Sequence, residues 1–137
     1  MVIYPISQPV ALLPCDILIV DDDPTLRSAL TDFLKRCGYR VQSAKDGGAA
    51  IKLLGQHRVQ LVITDLFMPE VDGFELILHL RKVAPSLKIL AMSGDGLSDL
   101  DPFLAGVRQL GVLDTLIKPF SLEELAGVVR KAIGEAL

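Results

Sequence analysis

Residues 59–81, VQLVITDLFMPEVDGFELILHLR, change their hydrophobic period midway, and that change sets the reading of the whole chain. Val59–Thr64 is a largely apolar run of strand length that ends on an acid, Asp65. Pro69 and the pair Asp72-Gly73 then punctuate a loop. Phe74, Ile77, Leu78 and Arg81 follow at helical spacing and trace a helix that closes before Pro85.

The same alternation extends in both directions. Upstream, Ile17–Val20 is a fully apolar strand of the kind buried in parallel sheets. Asp23-Pro24 then offers an N-cap with proline at the first helical position, and Leu26, Leu30, Phe33 and Leu34 line one face of a helix stopped by Gly38. Tyr39–Ala44 reads as a second strand and Gly48–Gln56 as a short helix. Downstream, Leu87–Met92 is a fourth strand and Thr115–Ile117 a fifth. Between them Gly94, Gly96 and Pro102 interrupt the pattern, and only Phe103, Leu104, Val107 and Leu110 keep helical spacing. Ser121-Leu122-Glu123-Glu124 is a capping box ahead of a last helix marked by Leu125, Val128, Val129, Ala132 and Ile133. Five strands in strict alternation with five helices predict an α/β fold, a doubly wound parallel sheet with its functional residues at the carboxyl ends of the strands.

Composition bounds what such a chain does. At 137 residues, half of them hydrophobic, it makes one compact domain with a sizeable core. Lys and Arg number 14 against 17 Asp and Glu, a formal charge of -3 without a basic cluster, which argues against direct nucleic-acid binding. The opening stretch MVIYPISQPVALLPC (residues 1–15) is uncharged, but Pro5, Pro9 and Pro14 interrupt it and the first basic residue is Arg27. It reads as neither a signal peptide nor a membrane span, so residues 1–15 are expected to form a loose N-terminal extension and residues 16–137 the domain. Cys15 and Cys37 fit no CxxC spacing and read as reduced, partly buried thiols of a cytoplasmic protein.

In a doubly wound sheet the residues just past strands one, three, four and five share one crevice; here they are Asp21 and Asp22, Asp65, Ser93 and Lys118. Two carboxylates about 4 Å apart repel by roughly 4 kcal/mol at an effective dielectric near 20, so such a cluster calls for a proton or a cation. Hard oxygen ligands with open water positions favour Mg2+, which recruits phosphate oxygens. With that charge compensation an Asp carboxylate becomes a nucleophile toward a phosphoryl group, Lys118 supplies an ammonium and Ser93 a hydroxyl for the phosphoryl oxygens. Alone, Asp21-Asp22-Asp23 would be a solvated helix start, Asp72-Gly73 a turn and Lys118 a surface lysine; their order and spacing reverse that reading for the acids and the lysine.

At these residues the chain resembles the receiver domain of response regulators in bacterial two-component systems, over about Asp16 to Leu137. The resemblance rests on ILIVDDD (17–23), LVITDLFMPEVDGFELI (61–77), KILAMSG (88–94) and LIKPF (116–120), in the family's order and near its spacing. It implies a flavodoxin-like sheet of strand order 2-1-3-4-5, with Asp65 as phosphoacceptor, Asp22 as direct Mg2+ ligand, Asp21 as its water-mediated companion and the Phe67 carbonyl as a further ligand. It makes Ser93 the switch hydroxyl, followed by the small Gly94, and Lys118 the phosphoryl-binding lysine, with a cis bond to Pro119. The implied phosphodonor is a histidine kinase or histidine phosphotransfer protein docking near Arg27 and Leu30. An unspecified downstream protein would be read by a face near Phe103 and the last helix. The protein itself would be a monomer or weak dimer and not an enzyme in its own right. The family usually has Tyr or Phe three residues before the lysine, where this chain has Thr115, and the interval from Ser93 to Lys118 is a little longer than typical. The family's output geometry is therefore not carried over.

Two other readings compete. Asp21-x-Asp23-x-Thr25 resembles the nucleophile motif of haloacid-dehalogenase-type phosphatases, with Gly94-Asp95-x-x-x-Asp99 as their metal motif and Lys88 or Lys118 on the phosphate. The chain is short for that class, and Asp65 with Lys118-Pro119 would be left unexplained. A receiver that no longer takes phosphate and only binds a partner is the third. His57 and His79 lack metal-ligand spacing and read as exposed helix residues, and without a Walker loop the phosphate is expected from a partner or a small acyl phosphate.

Overall fold

A computed structural model describes residues 12–68, 73–94 and 102–136. Its elements are β1 (Leu13–Val20), α1 (Pro24–Arg36), β2 (Val41–Ala44), α2 (Gly47–Leu54), β3 (His57–Asp65), α3 (Gly73–Val83), β4 (Lys88–Ser93), α4 (Pro102–Gln109), β5 (Asp114–Ile117) and α5 (Leu122–Ile133). All the strand pairs are parallel, and the sheet runs β2-β1-β3-β4-β5. This is the doubly wound, flavodoxin-like α/β fold expected from the alternation.

Strand alternation splits the core in two. Leu18, Val20, Val62, Ile89 and Ala91 point to the side packed by α2, α3 and α4. Ile17, Ile19, Leu61, Ile63, Leu90 and Met92 point to the side packed by α1 and α5. Side chains buried this completely contribute about 1.5–3 kcal/mol each. Helix starts are fixed locally: Asp23 accepts from Thr25 and Leu26 N–H at 3.0 and 3.3 Å, Asp46 from Ala49 N–H at 2.8 Å, and Ser121 from Glu124 N–H at 3.0 Å.

Several boundaries differ from the sequence reading. β1 starts at Leu13, so Leu13, Pro14 and Cys15 already pair with β3 ahead of Asp16. Leu13 N–H points to β3, onto the Gln56 carbonyl at 3.1 Å, which turns the nitrogen of Pro14 to the side where β2 has not yet begun and no ladder bond is lost. His57 begins β3 instead of ending a helix. In α3 the buried face is Gly73, Leu76, Ile77 and Leu80, while Leu78 is exposed. Cys15 is buried and Cys37 exposed. The interrupted stretch after Ser93 does hold a helix, α4, with Leu104 and Val107 buried as their spacing suggests.

Gly73 joins fold to site. A Cβ there would overlap the carbonyl oxygen of Asp65 and lie 2.6 Å from its carbonyl carbon and 2.9 Å from the Leu66 Cα. Helix α3 therefore starts directly on the backbone that carries Asp65, an approach only glycine permits. Gly73→Ala is expected to lower stability by about 3 kcal/mol, at the upper end for overpacking. Gly106→Ala, in α4 with nothing within 4 Å of the added methyl, should raise it by roughly 0.5–1 kcal/mol. Urea unfolding midpoints of the two variants check both signs.

Candidate functional site

β1 and β3 end side by side at the carboxyl edge, β3 on a buried acid and β1 one residue before another. Asp21 is 0% exposed and Asp65 7%, whereas Asp22 is exposed. Carboxylate oxygens of the three lie within 4.8 Å of one another. Lys118, just past β5, donates from Nζ to Asp21 Oδ2 at 3.1 Å and to Asp65 Oδ2 at 3.2 Å. The remaining oxygens are held by backbone: Asp21 Oδ1 accepts from Asp23 N–H at 2.9 Å, and Asp65 Oδ1 from Phe67 N–H at 3.3 Å. Arg27, from the first turn of α1, donates to the Asp21 carbonyl at 2.7 Å.

Backbone bonds of the sheet set these positions. Asp65 pairs in register with Met92, Leu66 N–H donates to the Met92 carbonyl at 2.9 Å, and Lys118 N–H donates to the Ser93 carbonyl at 2.8 Å. The Lys118-Pro119 bond is cis, as the resemblance implied. Ser93 is fully buried, one residue past the partner of Asp65, and its Oγ has no hydrogen-bond partner among the described residues. Thr115, paired with Ala91, is in the same state: its Oγ1 is buried and finds no partner among the described residues.

The electrostatics are unbalanced. Three carboxylates face one ammonium, leaving two negative charges in a partly desolvated cleft. Burial pushes the Asp65 carboxyl above its ordinary range; Lys118 and the Phe67 N–H pull it back, and Asp21 adds to the rise. Burial lowers the Lys118 ammonium, but Asp65 and Asp21 outweigh it and hold the group above its ordinary value. An all-oxygen donor set with two uncompensated charges fits a hard divalent cation such as Mg2+.

The structure brings together Asp21, Asp22, Asp65 and Lys118 of the expected site, with Ser93 and Phe67 on the segments beside them. It gives the phosphatase alternative no support. The Asp23 carboxylate is engaged as the N-cap of α1, and Lys88 lies at the opposite end of the sheet, donating to the Ala132 carbonyl at 2.6 Å. Asp95 and Asp99 fall outside the described residues. Leu30, expected on a docking face, is 2% exposed and belongs to the core beneath α1. Sequence reading missed an aromatic row at the rim: Phe67, 52% exposed, stacks on Phe103 with ring centroids 5.3 Å apart, and Phe103 meets Phe74 at 5.4 Å. Helical spacing marked Phe103 as apolar but gave no sign of a partner 36 residues upstream.

A family model for the response regulator receiver domain matches residues 17–130. Response regulator MprA of Mycobacterium sp. (strain KMS) is 39% identical over 119 residues, which cover 86% of this chain and 50% of MprA. DNA-binding transcriptional regulator NtrC of Bradyrhizobium sp. (strain RP501 Parasponia) is 33% identical over 121 residues, 87% of this chain and 24% of NtrC. The chain thus spans about half the length of one curated relative and a quarter of the other. Among solved structures, a response regulator receiver protein from Pseudomonas putida matches with a TM-score of 0.78 and 34% identity, covering 90% of this chain and 99% of that one. The receiver domain of NtrX from Brucella abortus matches at 0.78 with 28% identity, covering 86% and 98%.

Both raised groups favour the protonated state. The contribution of Lys118 to stability is complete below its unfolded pKa and is lost as pH rises through its folded value. For Asp65 the same sign holds in the carboxylate range: folding is favoured below its unfolded pKa, and stability falls as pH rises through the folded one. In metal-free buffer at pH 7, Asp65→Asn should therefore be more stable than the parent by about 1 kcal/mol, a usual size for relieving a poorly compensated buried charge. The difference should shrink as pH is lowered through the carboxylate range, where Asp65 itself takes up a proton. Urea midpoints at neutral and acid pH measure it, and a destabilised Asp65→Asn at pH 7 would contradict the charge assignment.

Proposed function

The chain belongs to the response regulator receiver domain family, a family of signalling proteins, and from that premise we propose that Asp65 is its phosphoacceptor. The observation that carries the reading is the meeting of Asp21, Asp22 and Asp65 with a single ammonium shared by two of them. A carboxylate oxygen of Asp65 attacks the phosphorus of a phosphohistidine on a histidine kinase or histidine phosphotransfer protein. The Oδ–P bond forms, the P–N bond breaks, and the electron pair leaves on the imidazole nitrogen, which takes a proton. Lys118 Nζ, already on Asp65 Oδ2, lies where charge develops on the phosphoryl oxygens, and the Phe67 N–H fixes the rotation of the nucleophile. Ser93 supplies a hydroxyl that donates to a phosphoryl oxygen once the group is in place.

Asp21, Asp22 and Asp65, with the Phe67 carbonyl, would hold Mg2+. An ion bound there would offset the negative charge of the phosphoryl oxygens. Residues 16–137 are the receiver domain of this scheme, residues 1–15 its N-terminal extension, and its setting is the cytoplasm. Among the described residues no helix is long and apolar enough to cross a membrane. The phosphodonor docks beside the acceptor, where Leu26 and Ala29 of α1 face Pro119, Phe120 and Leu122 across an apolar cleft that reaches Lys118. The downstream partner reads α4 and α5, and the NtrC relative, a DNA-binding transcriptional regulator, suggests a transcriptional output beyond this chain.

Incubation with acetyl phosphate and intact-mass measurement tests the reading. The parent should gain one phosphoryl group only with Mg2+, Asp65→Asn none, and Asp22→Asn should need far more Mg2+ for equal labelling. Lys118→Ala should be labelled more slowly and change its partner affinity less on phosphorylation. Equal labelling of the parent and Asp65→Asn would overturn the assignment. Hydrolysis of a phosphomonoester that depends on Asp21 but not Asp65 would restore the phosphatase reading.

A further inference from the structure

Phe67 is an exposed aromatic ring on a fixed backbone. Its N–H is tied to Asp65 Oδ1, so its Cα stands two residues from the acceptor with little freedom, while half of its surface is open to solvent. A Phe in that state normally samples several rotamers. Here the ring is stacked on Phe103 with an interplanar angle of 29°, and Phe103 in turn leans on Phe74 and packs against the core under α3 and α4. The ring of this residue, two positions past Asp65, is thus held by a residue of another element, one position into α4.

We infer that Phe103 is a positioning residue that sets the lifetime of the phosphorylated state by holding the ring of Phe67, two residues past Asp65, in one rotamer; this rests on Asp65 being the acceptor. Loss of the group by hydrolysis needs a water oxygen to reach phosphorus in line with the Asp65 oxygen. The new P–O bond forms as the Oδ–P bond breaks, the electron pair returns to the carboxylate, and phosphate leaves with the proton going to solvent. An apolar ring held at the rim excludes that water, and a ring free to swing does so only part of the time. An aromatic pair of this geometry shifts the population of the held rotamer roughly two- to tenfold, and the hydrolysis rate follows. Because Phe103 belongs to α4, a protein that binds and moves α4 would change the lifetime without touching the acceptor.

The test follows decay of the phosphorylated species by intact mass after acetyl phosphate is removed, in Mg2+ buffer, for the parent, Phe103→Leu, Phe103→Tyr, Phe67→Leu and the double variant Phe67→Leu/Phe103→Leu. Phe103→Leu should shorten the lifetime about two- to tenfold, Phe103→Tyr should keep it, and Phe67→Leu should shorten it at least as much as Phe103→Leu. In the Phe67→Leu background Phe103→Leu should add nothing. Phe103→Met, whose flexible unbranched chain adapts to the space a ring leaves, makes the same test should Phe103→Leu fold poorly, and urea midpoints identify that case. An unchanged lifetime in Phe103→Leu, or equal shortening with and without the Phe67 ring, overturns the inference while labelling of Asp65 stands. Absence of labelling in the parent overturns the reading of Asp65 itself, and the inference falls with it.

Discussion

Lys118 reaches two buried carboxylates on two different strands, and most of the architecture serves to make that meeting possible. Asp21 follows β1, Asp65 ends β3 and Lys118 follows β5, so four crossover connections must be completed before the charges face one another. One ammonium does not balance three acids. The surplus negative charge in a desolvated cleft disfavours the folded state and at the same time suits the cleft to a divalent cation and, under the proposed function, to the phosphoryl group that such a cation accompanies. Stability is given up where the chemistry needs charge, and the apolar strands behind the site supply the compensation.

Placement depends on backbone more than on side-chain packing. The Leu66 N–H on the Met92 carbonyl and the Lys118 N–H on the Ser93 carbonyl fix neighbouring strand ends relative to each other, and the N–H groups of Asp23 and Phe67 orient the two buried carboxylates. The start of α3 lies directly on the Asp65 carbonyl. The opposite end of the sheet is tied with equal care but without chemistry. Tyr39 donates to the Gly134 carbonyl at 2.7 Å, Lys88 to Ala132, and Arg40 pairs with Asp16 at 3.0 Å. Each of those contacts fastens a strand or helix end, and none leaves a charge uncompensated in a cleft.

Much of this was legible before any coordinates. The central strands are apolar on both faces, which only a covered parallel sheet satisfies, and an acid at the end of such a strand is conspicuous. That is why Asp21, Asp65 and Lys118 could be grouped from one sequence. Legibility failed where the deciding contact was tertiary. Pro14 hid the first residues of β1, because its missing N–H matters only if a neighbour stands on that side, and none does. Leu78 matched a helical spacing as well as Leu76 or Leu80, and only the position of the sheet decides which turns inward. Gly73 read as a turn residue, with nothing in its neighbours to announce the backbone it would strike. The stack of Phe67 on Phe103 left no periodic trace at all, since it joins a loop to a helix.

The two unpartnered hydroxyls show where the departure at Thr115 leads. Strand alternation turns Ser93 and Thr115 to the same face, on neighbouring strands, and a buried hydroxyl without a partner costs about 1–3 kcal/mol. Under the proposed function, that cost at Ser93 belongs to the resting state and would be relieved once a phosphoryl oxygen is within reach, which would draw the hydroxyl toward Asp65. At Thr115 no such relief exists, and no aromatic ring is available on β5 to move into the space that Ser93 gives up. The aromatic side chains near the acceptor lie instead on the loop after β3 and on α3 and α4. Under the proposed function, a change at Asp65 therefore has a packed aromatic path to α4 but only small side chains on β5 beside Ser93, which places the responsive surface on the α4 side of the molecule.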